Sequence, residues 1–265
     1  MNSEKLLEVS NVKKYYHGYL GSKLKVLENI SFSIPKDSEQ KVISFLAPFG
    51  SGKTSLMKII AALEQASEGE VILEDKKYSL PDGNIIYIPE KPSSFLWLNV
   101  KSDIEFILKN TRNKSSKDIN ELISMVGLGS YGNHHSHGLS YGFRFRVSLA
   151  RALAVNPKII IIDDSLKLMD YLTRKEVYEM LGQVVKKFEI KFILSTTNIT
   201  EALLLSDKIF FMRKKPGTIF HEFDVERDWK DKDETEKQEK LHALKNDVIN
   251  FFRAEKMNHD LSFSA

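Results

Sequence analysis

Ala47-Pro48-Phe49-Gly50-Ser51-Gly52-Lys53-Thr54-Ser55 joins two apolar runs, KVISFL (41–46) and TSLMKIIAAL (54–63). The first run reads as a strand and the second carries its apolar residues at helical spacing, so the nonapeptide is a strand-to-helix turn. Two glycines, a lysine and a hydroxyl at such a turn answer the needs of a polyphosphate. Successive backbone N–H groups face inward, and the start of the helix adds its positive dipole end. Gly50 and Gly52 allow close approach of the backbone, Lys53 brings a point charge to the outer phosphates, and Thr54 offers a hydroxyl to Mg²⁺. The usual spacing, G-x-x-x-x-G-K-[ST], has glycine where this chain has Ala47, which serves provided its φ is negative.

A phosphate cradle of this kind works with an acidic residue at the end of a neighbouring strand. Ile159-Ile160-Ile161-Ile162-Asp163-Asp164 supplies one, with Asp163 placed to hold Mg²⁺ through water. Around these two anchors short β-branched runs alternate with helical patterns. LLEVSNV, VLENISFSI, KVISFLA, GEVILED and IIYI read as strands, as do KIIIID and KFILST, whose near-continuous apolar character suits central parallel strands. Helices are predicted near 53–63, 100–110, 117–126, 142–154, 173–188 and 199–206, and the alternation predicts an α/β layered domain. KIFFMR and GTIFHEF flank the basic turn Arg213, Lys214 and Lys215 and form a hairpin. From Arg227 the residues become densely charged. A charged connector is expected there, followed by a helix with Leu241, Leu244, Val248 and Phe251 on one stripe.

Composition narrows the classes. In 265 residues, 42% are hydrophobic and 28% charged, which excludes wholesale disorder. A formal net charge of +3 gives no argument for nucleic-acid binding. With no cysteine there is no disulfide, thiolate nucleophile or Cys-ligated metal. No apolar run is long enough to span a bilayer and no secretory leader is seen at the start, so a cytoplasmic location is expected. His134, His135 and His137 form a histidine cluster, but no Asp or Cys accompanies them.

Leu139-Ser140-Tyr141-Gly142-Phe143 and the helix that ends Ala150-Arg151-Ala152-Leu153 resemble the signature of ABC ATPases, L-S-G-G-Q followed by A-R-A-L. Ser140 and Gly142 keep the hydroxyl and the N–H at a helix start; Tyr141 and Phe143 replace a glycine and the glutamine. Nearly the whole chain shares the resemblance. It implies a P-loop NTPase core with an N-terminal antiparallel β-subdomain and a helical signature subdomain near 92–150, within an ATPase domain of 1–226, followed by 227–265 as connector and helix. It implies that Tyr16 stacks on adenine, that Asp170 stands at the D-loop aspartate position, and that PEKPSSFLWLNV (89–100) holds the Q-loop and the surface, with Phe95 and Trp97, that meets a membrane subunit. The order of motifs is most similar to importer ATPases of the nitrate, sulfonate and taurine group.

The departures fall on the catalytic positions. Asp164 replaces the glutamate that polarises water, Glu90 replaces the Q-loop glutamine, and Thr197 replaces the switch histidine. Glu90 faces Mg²⁺ or adds an uncompensated negative charge. The resemblance therefore implies an ATP- and Mg²⁺-binding subunit whose hydrolysis is slow. It implies peripheral attachment at the cytoplasmic face of the membrane beside transmembrane permease subunits. A second ATPase subunit completes each site, in a homodimer or, as the altered residues suggest, a heterodimer. The alternative is an inactive, nucleotide-gated subunit beside an active ATPase. A DNA-repair or translation ATPase is disfavoured by the absence of a long insertion between Lys53 and Ser140.

Overall fold

The computed structural model describes residues 4–18, 22–92, 94–95, 97–111, 115–135, 139–226 and 233–254. These divide into two compact units, one of residues 1–81 and 193–265, the other of 82–192.

The first unit holds two sheet regions. β1 (Lys5–His17), β2 (Lys23–Pro35), β4 (Glu68–Leu73) and the two-residue β5 (Lys76–Lys77) form an antiparallel sheet in the order β2-β1-β4-β5. β1 is longer than the alternation suggested. Asn11 takes a left-handed φ of 50°, and the register with β2 shifts between Val9 and Val12. A bulge breaks the period of two without ending the strand, and Tyr15 and Tyr16 go on to pair with Lys25 and Leu24. β3 (Val42–Leu46) runs parallel to β9 (Lys208–Arg213), which pairs antiparallel with β10 (Thr218–Asp224) as the expected hairpin. Between the sheet regions Phe32, Phe45 and Phe210 pack with ring centroids 5.0–5.2 Å apart.

α1 (Lys53–Ile60) ends earlier than predicted. Ala62 turns left-handed at φ 55°, and the N–H groups of Ala62 and Leu63 close back on Ile59 and Lys58. α6 (Ile199–Leu205) is capped by Asn198, whose side chain accepts from Glu201 N–H. The last helix, called α7 below, covers Glu234–Ala254, so part of the expected charged connector is helix. Glu, Gln and Lys are good helix formers, and Asp233 accepts from the N–H groups of Thr235 and Glu236. Residues 227–232 lie outside the described residues. Val248 and Phe252 are buried against Ile199, Leu203 and Phe211, while Phe251 of the expected stripe lies half-buried against His221.

In the second unit β6 (Ile85–Ile88) and β7 (Ile159–Asp163) are parallel neighbours, paired from Ile85↔Ile159 to Ile88↔Ile162. All four isoleucines of β7 are buried. α2 (Val100–Lys109), α3 (Ile119–Met125), α4 (Tyr141–Ala154) and α5 (Tyr171–Lys187) complete it. Asn99, Asp118, Ser140 and Asp170 cap these four helices in turn, each accepting an N–H from the first turn. β8 (Lys191–Thr196) follows, its residues from Ile193 onward belonging to the first unit.

Candidate functional site

In the first unit the 47–55 turn leaves β3 and enters α1 as expected. Gly50 and Gly52 have φ of 78° and 85°, a region that costs a side-chain-bearing residue about 1–2 kcal/mol. Gly50 has open space around its Cα, so conformation alone demands glycine there. At Gly52 a Cβ would also stand 2.8 Å from Leu27 Cδ2 and 2.9 Å from Val26 Cγ1. Ala47 is fully buried and is not among the residues with positive φ, so a methyl group is no obstacle where glycine is usual. Its N–H donates to Thr196 O at 3.3 Å, which ties the start of the turn to the end of β8. Lys53 is buried, and its Nζ donates to Ala47 O at 2.8 Å and Pro48 O at 3.1 Å. Ser51 is 1% exposed and its Oγ has no hydrogen-bond partner among the described residues. Phe49, Gly50 and Thr54 face outward.

Two neighbours complete this half. The Tyr16 hydroxyl and Ser55 Oγ are 3.0 Å apart, so the aromatic expected beside adenine is tied to the first turn of α1. Burial and then Glu64 push the Tyr16 phenol above its ordinary pKa. Behind the turn lies Gly217, at the foot of the basic hairpin. Its N–H donates to Val26 O at 2.8 Å, and a Cβ on it would meet Ser51 O at 2.1 Å. A Pro-Gly turn was the only cue to this backing in one dimension. Thr197 directly follows Thr196 and precedes the α6 cap, next to the residue that holds Ala47.

The second unit brings the acidic residues together at the ends of β6 and β7. Glu90 and Asp164 each stand two residues beyond the last register pair, Ile88↔Ile162, just past the ends of the two strands. Ser165 stitches the two strand ends, its Oγ donating to Pro89 O at 2.8 Å. Asp163 is 1% exposed and accepts from the Tyr87 hydroxyl at 2.7 Å. Burial and then this carboxylate push the Tyr87 phenol far above its ordinary pKa, so it stays a donor. Asp164 adopts φ 52°, a left-handed conformation that aspartate tolerates better than glutamate does.

Glu90 also has a counter-charge within its own unit. Lys167 Nζ lies 2.7 Å from Glu90 Oε1 and 3.1 Å from Asp164 Oδ2. Burial opposes charge on this lysine, but its bonds to Glu90 and Asp164 outweigh burial and its pKa is raised. Tyr87 and Lys167 were both missed in the sequence, because their roles depend on strand register and on a turn.

Ser140 caps α4, its Oγ accepting from Phe143 N–H at 3.2 Å. Gly142 is required by packing, since a Cβ there would meet Thr173 Cγ2 at 2.3 Å. Asp170 caps α5 through Thr173, and those bonds lower its pKa. In the 89–100 segment Phe95 packs on Trp97 and Phe106, and Trp97 is 72% exposed. Asp103 fixes this aromatic group by accepting from Phe95 N–H at 3.2 Å and facing Arg151 at 3.4 Å; burial raises its pKa and Arg151 opposes the rise. The rings of His134 and Tyr131 meet at a tilt of 59° with centroids 5.1 Å apart, and His137 lies outside the described residues.

The 47–55 cradle fits a nucleotide triphosphate on its own geometry. Its two glycines hold left-handed turns, and the buried Ser51 hydroxyl has no partner among the described residues. The buried lysine needs only to exchange carbonyls for phosphate oxygens.

The comparisons agree. The family model described as "ABC transporter" matches residues 27–167. The chain is 33% identical over 200 residues to the aliphatic sulfonates import ATP-binding protein SsuB 2 of Pseudomonas syringae pv. tomato, covering 76% of this chain and 81% of that one. It is 29% identical over 220 residues to the taurine import ATP-binding protein TauB of Ruegeria pomeroyi, covering 82% and 81%. Among solved structures, the ATP-binding cassette MJ0796, a dimer bound to ADP and Pi, superposes with a TM-score of 0.70 at 24% identity over 83% of this chain and 99% of that one. That likeness confirms the α/β fold of a P-loop cassette. With its phosphate turn, acidic strand end and signature-type helix in place, this chain belongs to the ABC transporter family.

Proposed function

We propose that this chain is the ATP-binding subunit of a membrane importer that binds MgATP well and hydrolyses it slowly. The observation that carries the reading is an intact phosphate cradle in a chain whose catalytic positions hold Asp164, Glu90 and Thr197. Residues 47–55 would cradle the triphosphate, with Tyr16 beside the base. Thr54 and Asp163 would hold Mg²⁺, and Glu90 would face it as one half of an ion pair. Bound with the triphosphate, Mg²⁺ supplies charge neutralisation at the phosphoryl group. The chain itself orients and polarises water through Asp164. That residue's side chain is one methylene shorter than glutamate. A positioned general base is worth roughly 10²–10⁴ in rate, and part of that is forfeited here. Thr197 supplies a hydroxyl where an imidazole would carry a proton.

Ser140 and the N–H of Gly142 would complete the site of a second ATPase subunit. A non-identical partner is favoured, because it can bring an unaltered base or signature to one of the two sites. The aromatic group around Trp97 would meet the permease, with the chain attached peripherally at the cytoplasmic face. Relatives named for sulfonate and taurine import support a small solute bearing a sulfonate group, recognised by other subunits.

The test is turnover by the purified chain, alone and with each ATPase subunit it co-purifies with. Alone, it is expected to bind labelled ATP saturably with Mg²⁺ and to turn over well below about 1 s⁻¹, the low end of ordinary enzyme rates. Faster hydrolysis by the isolated chain overturns the slow-site reading. Full transport by a complex holding only copies of this chain overturns the heterodimer.

A further inference from the structure

We infer that Lys167 is a positioning residue for this site: it cancels the charge of Glu90 and fixes the carboxylate of Asp164. The inference rests on the reading of these residues as part of a nucleotide site.

Positions 90 and 164 lie just past the paired ends of β6 and β7, which run together as far as Ile88↔Ile162. Both touch one nitrogen, at 2.7 and 3.1 Å, which holds their nearest oxygens within about 6 Å of each other. Two like charges at that separation repel, and Asp164, with a side chain only 11% exposed, is poorly screened by water. The ammonium of Lys167 reverses the sign of the local interaction. With it, the cluster of Glu90, Asp164 and Lys167 carries a net charge of −1. That equals the charge of a lone carboxylate at position 164 flanked by neutral residues at 90 and 167. The acid at 90 and the base at 167 are thus one compensated change, and an anionic ligand meets no added repulsion.

The lysine is itself held. Arg174 on α5 donates from Nη2 to Met169 O at 2.7 Å and reaches Lys167 O at 3.5 Å, clamping the backbone of the turn that presents the ammonium. Ser165 anchors the other end of that turn to Pro89 O. Asp164, in its left-handed conformation, is fixed at the backbone by its neighbours and at the carboxylate by Lys167. The two effects separate. Neutralising Glu90 requires any positive charge, or no acid at 90. Aiming Asp164 requires a donor at 167.

The full-length chain and four variants test this: Lys167→Met, Glu90→Gln, the double variant, and Lys167→Arg. In nucleotide-free protein, the thermal midpoint should fall with Glu90→Gln alone, yet rise when the same change is made in the Lys167→Met background. Midpoint shifts that simply add would overturn the pairing. For function, Lys167→Met should weaken binding of a fluorescent ATP analogue with Mg²⁺ by about 5- to 10-fold through the uncancelled charge. The double variant should regain that affinity while its kcat stays low, because Asp164 remains unheld. Lys167→Arg should keep both. Failure of Glu90→Gln to restore affinity, or full recovery of kcat in the double variant, overturns the inference. If wild type binds no nucleotide at all, the ATP-binding reading fails, while the thermal cycle still decides whether Lys167 couples to Glu90.

Discussion

Gly142 meets two demands at once. As the second retained signature residue it offers an N–H at the start of α4, and as a packing residue it admits Thr173, whose Cγ2 would lie 2.3 Å from any Cβ. The two demands can be separated. Gly142→Ala should destabilise the chain by about 1–3 kcal/mol through overpacking, and Thr173→Ser, which deletes only the clashing methyl, should recover most of it. Denaturant unfolding of the single and double variants checks this; absence of rescue would place the strain elsewhere. The hydroxyl of Thr173 has its own task, donating to Asp170 Oδ2 at 2.6 Å while its N–H donates to Oδ1 at 3.0 Å. These bonds depress the Asp170 pKa. A carboxylate shifted downward lends stability that is complete above its unfolded pKa, near 4, and is lost as pH falls through its lower folded value. The melting-temperature gap between wild type and Asp170→Ala should therefore be wide at neutral pH and close as the pH falls below about 4. A gap that stays constant between pH 7 and pH 3 would show that the cap does not act through the ionised carboxylate.

At the scale of elements, the last helix shows how charge can hide a helix. The residues ETEKQEK look like a solvated linker, yet all but Thr235 favour a helix, and Asp233 accepts from the N–H groups of Thr235 and Glu236. Its apolar end is fixed by an aromatic cluster. Phe252 is 1% exposed, with ring centroids 5.1 Å from Phe211 and 5.9 Å from Phe220. Phe252→Ala should cost about 3–5 kcal/mol, whereas Leu241→Ala, at a partly buried position on the same helix, should cost much less. Equal losses in chemical denaturation would mean that the first half of the helix docks as firmly as its aromatic end. Most elements were legible in the sequence because their apolar period matched one element type. The misreadings have local causes. A left-handed Asn11 interrupts the alternation of β1, and a left-handed Ala62 closes α1 where its pattern seemed to run on.

For the molecule as a whole, the candidate site was legible in proportion to how contiguous its residues are. The cradle from Ala47 to Ser55 is one unbroken segment whose spacing states its chemistry. Asp163 and Asp164 announce themselves at the end of an isoleucine run. Tyr87, Lys167 and Gly217 are silent in one dimension. The first two gain meaning only from the register of β6 with β7 and the turn after β7; the third gains it from a hairpin folded behind the phosphate turn. Among the described residues no helix is long and apolar enough to cross a membrane.

The lysine of the cradle carries a last consequence. Parked on two main-chain oxygens of its own loop, the buried Lys53 ammonium is already largely withdrawn from solvent. Capture of an anion is therefore a swap of acceptors rather than a stripping of water. Much of the attraction felt by an incoming phosphate is spent on displacing those internal contacts. A neutral side chain at that position would forfeit the exchange and leave the carbonyl oxygens of Ala47 and Pro48 facing the ligand's negative charge.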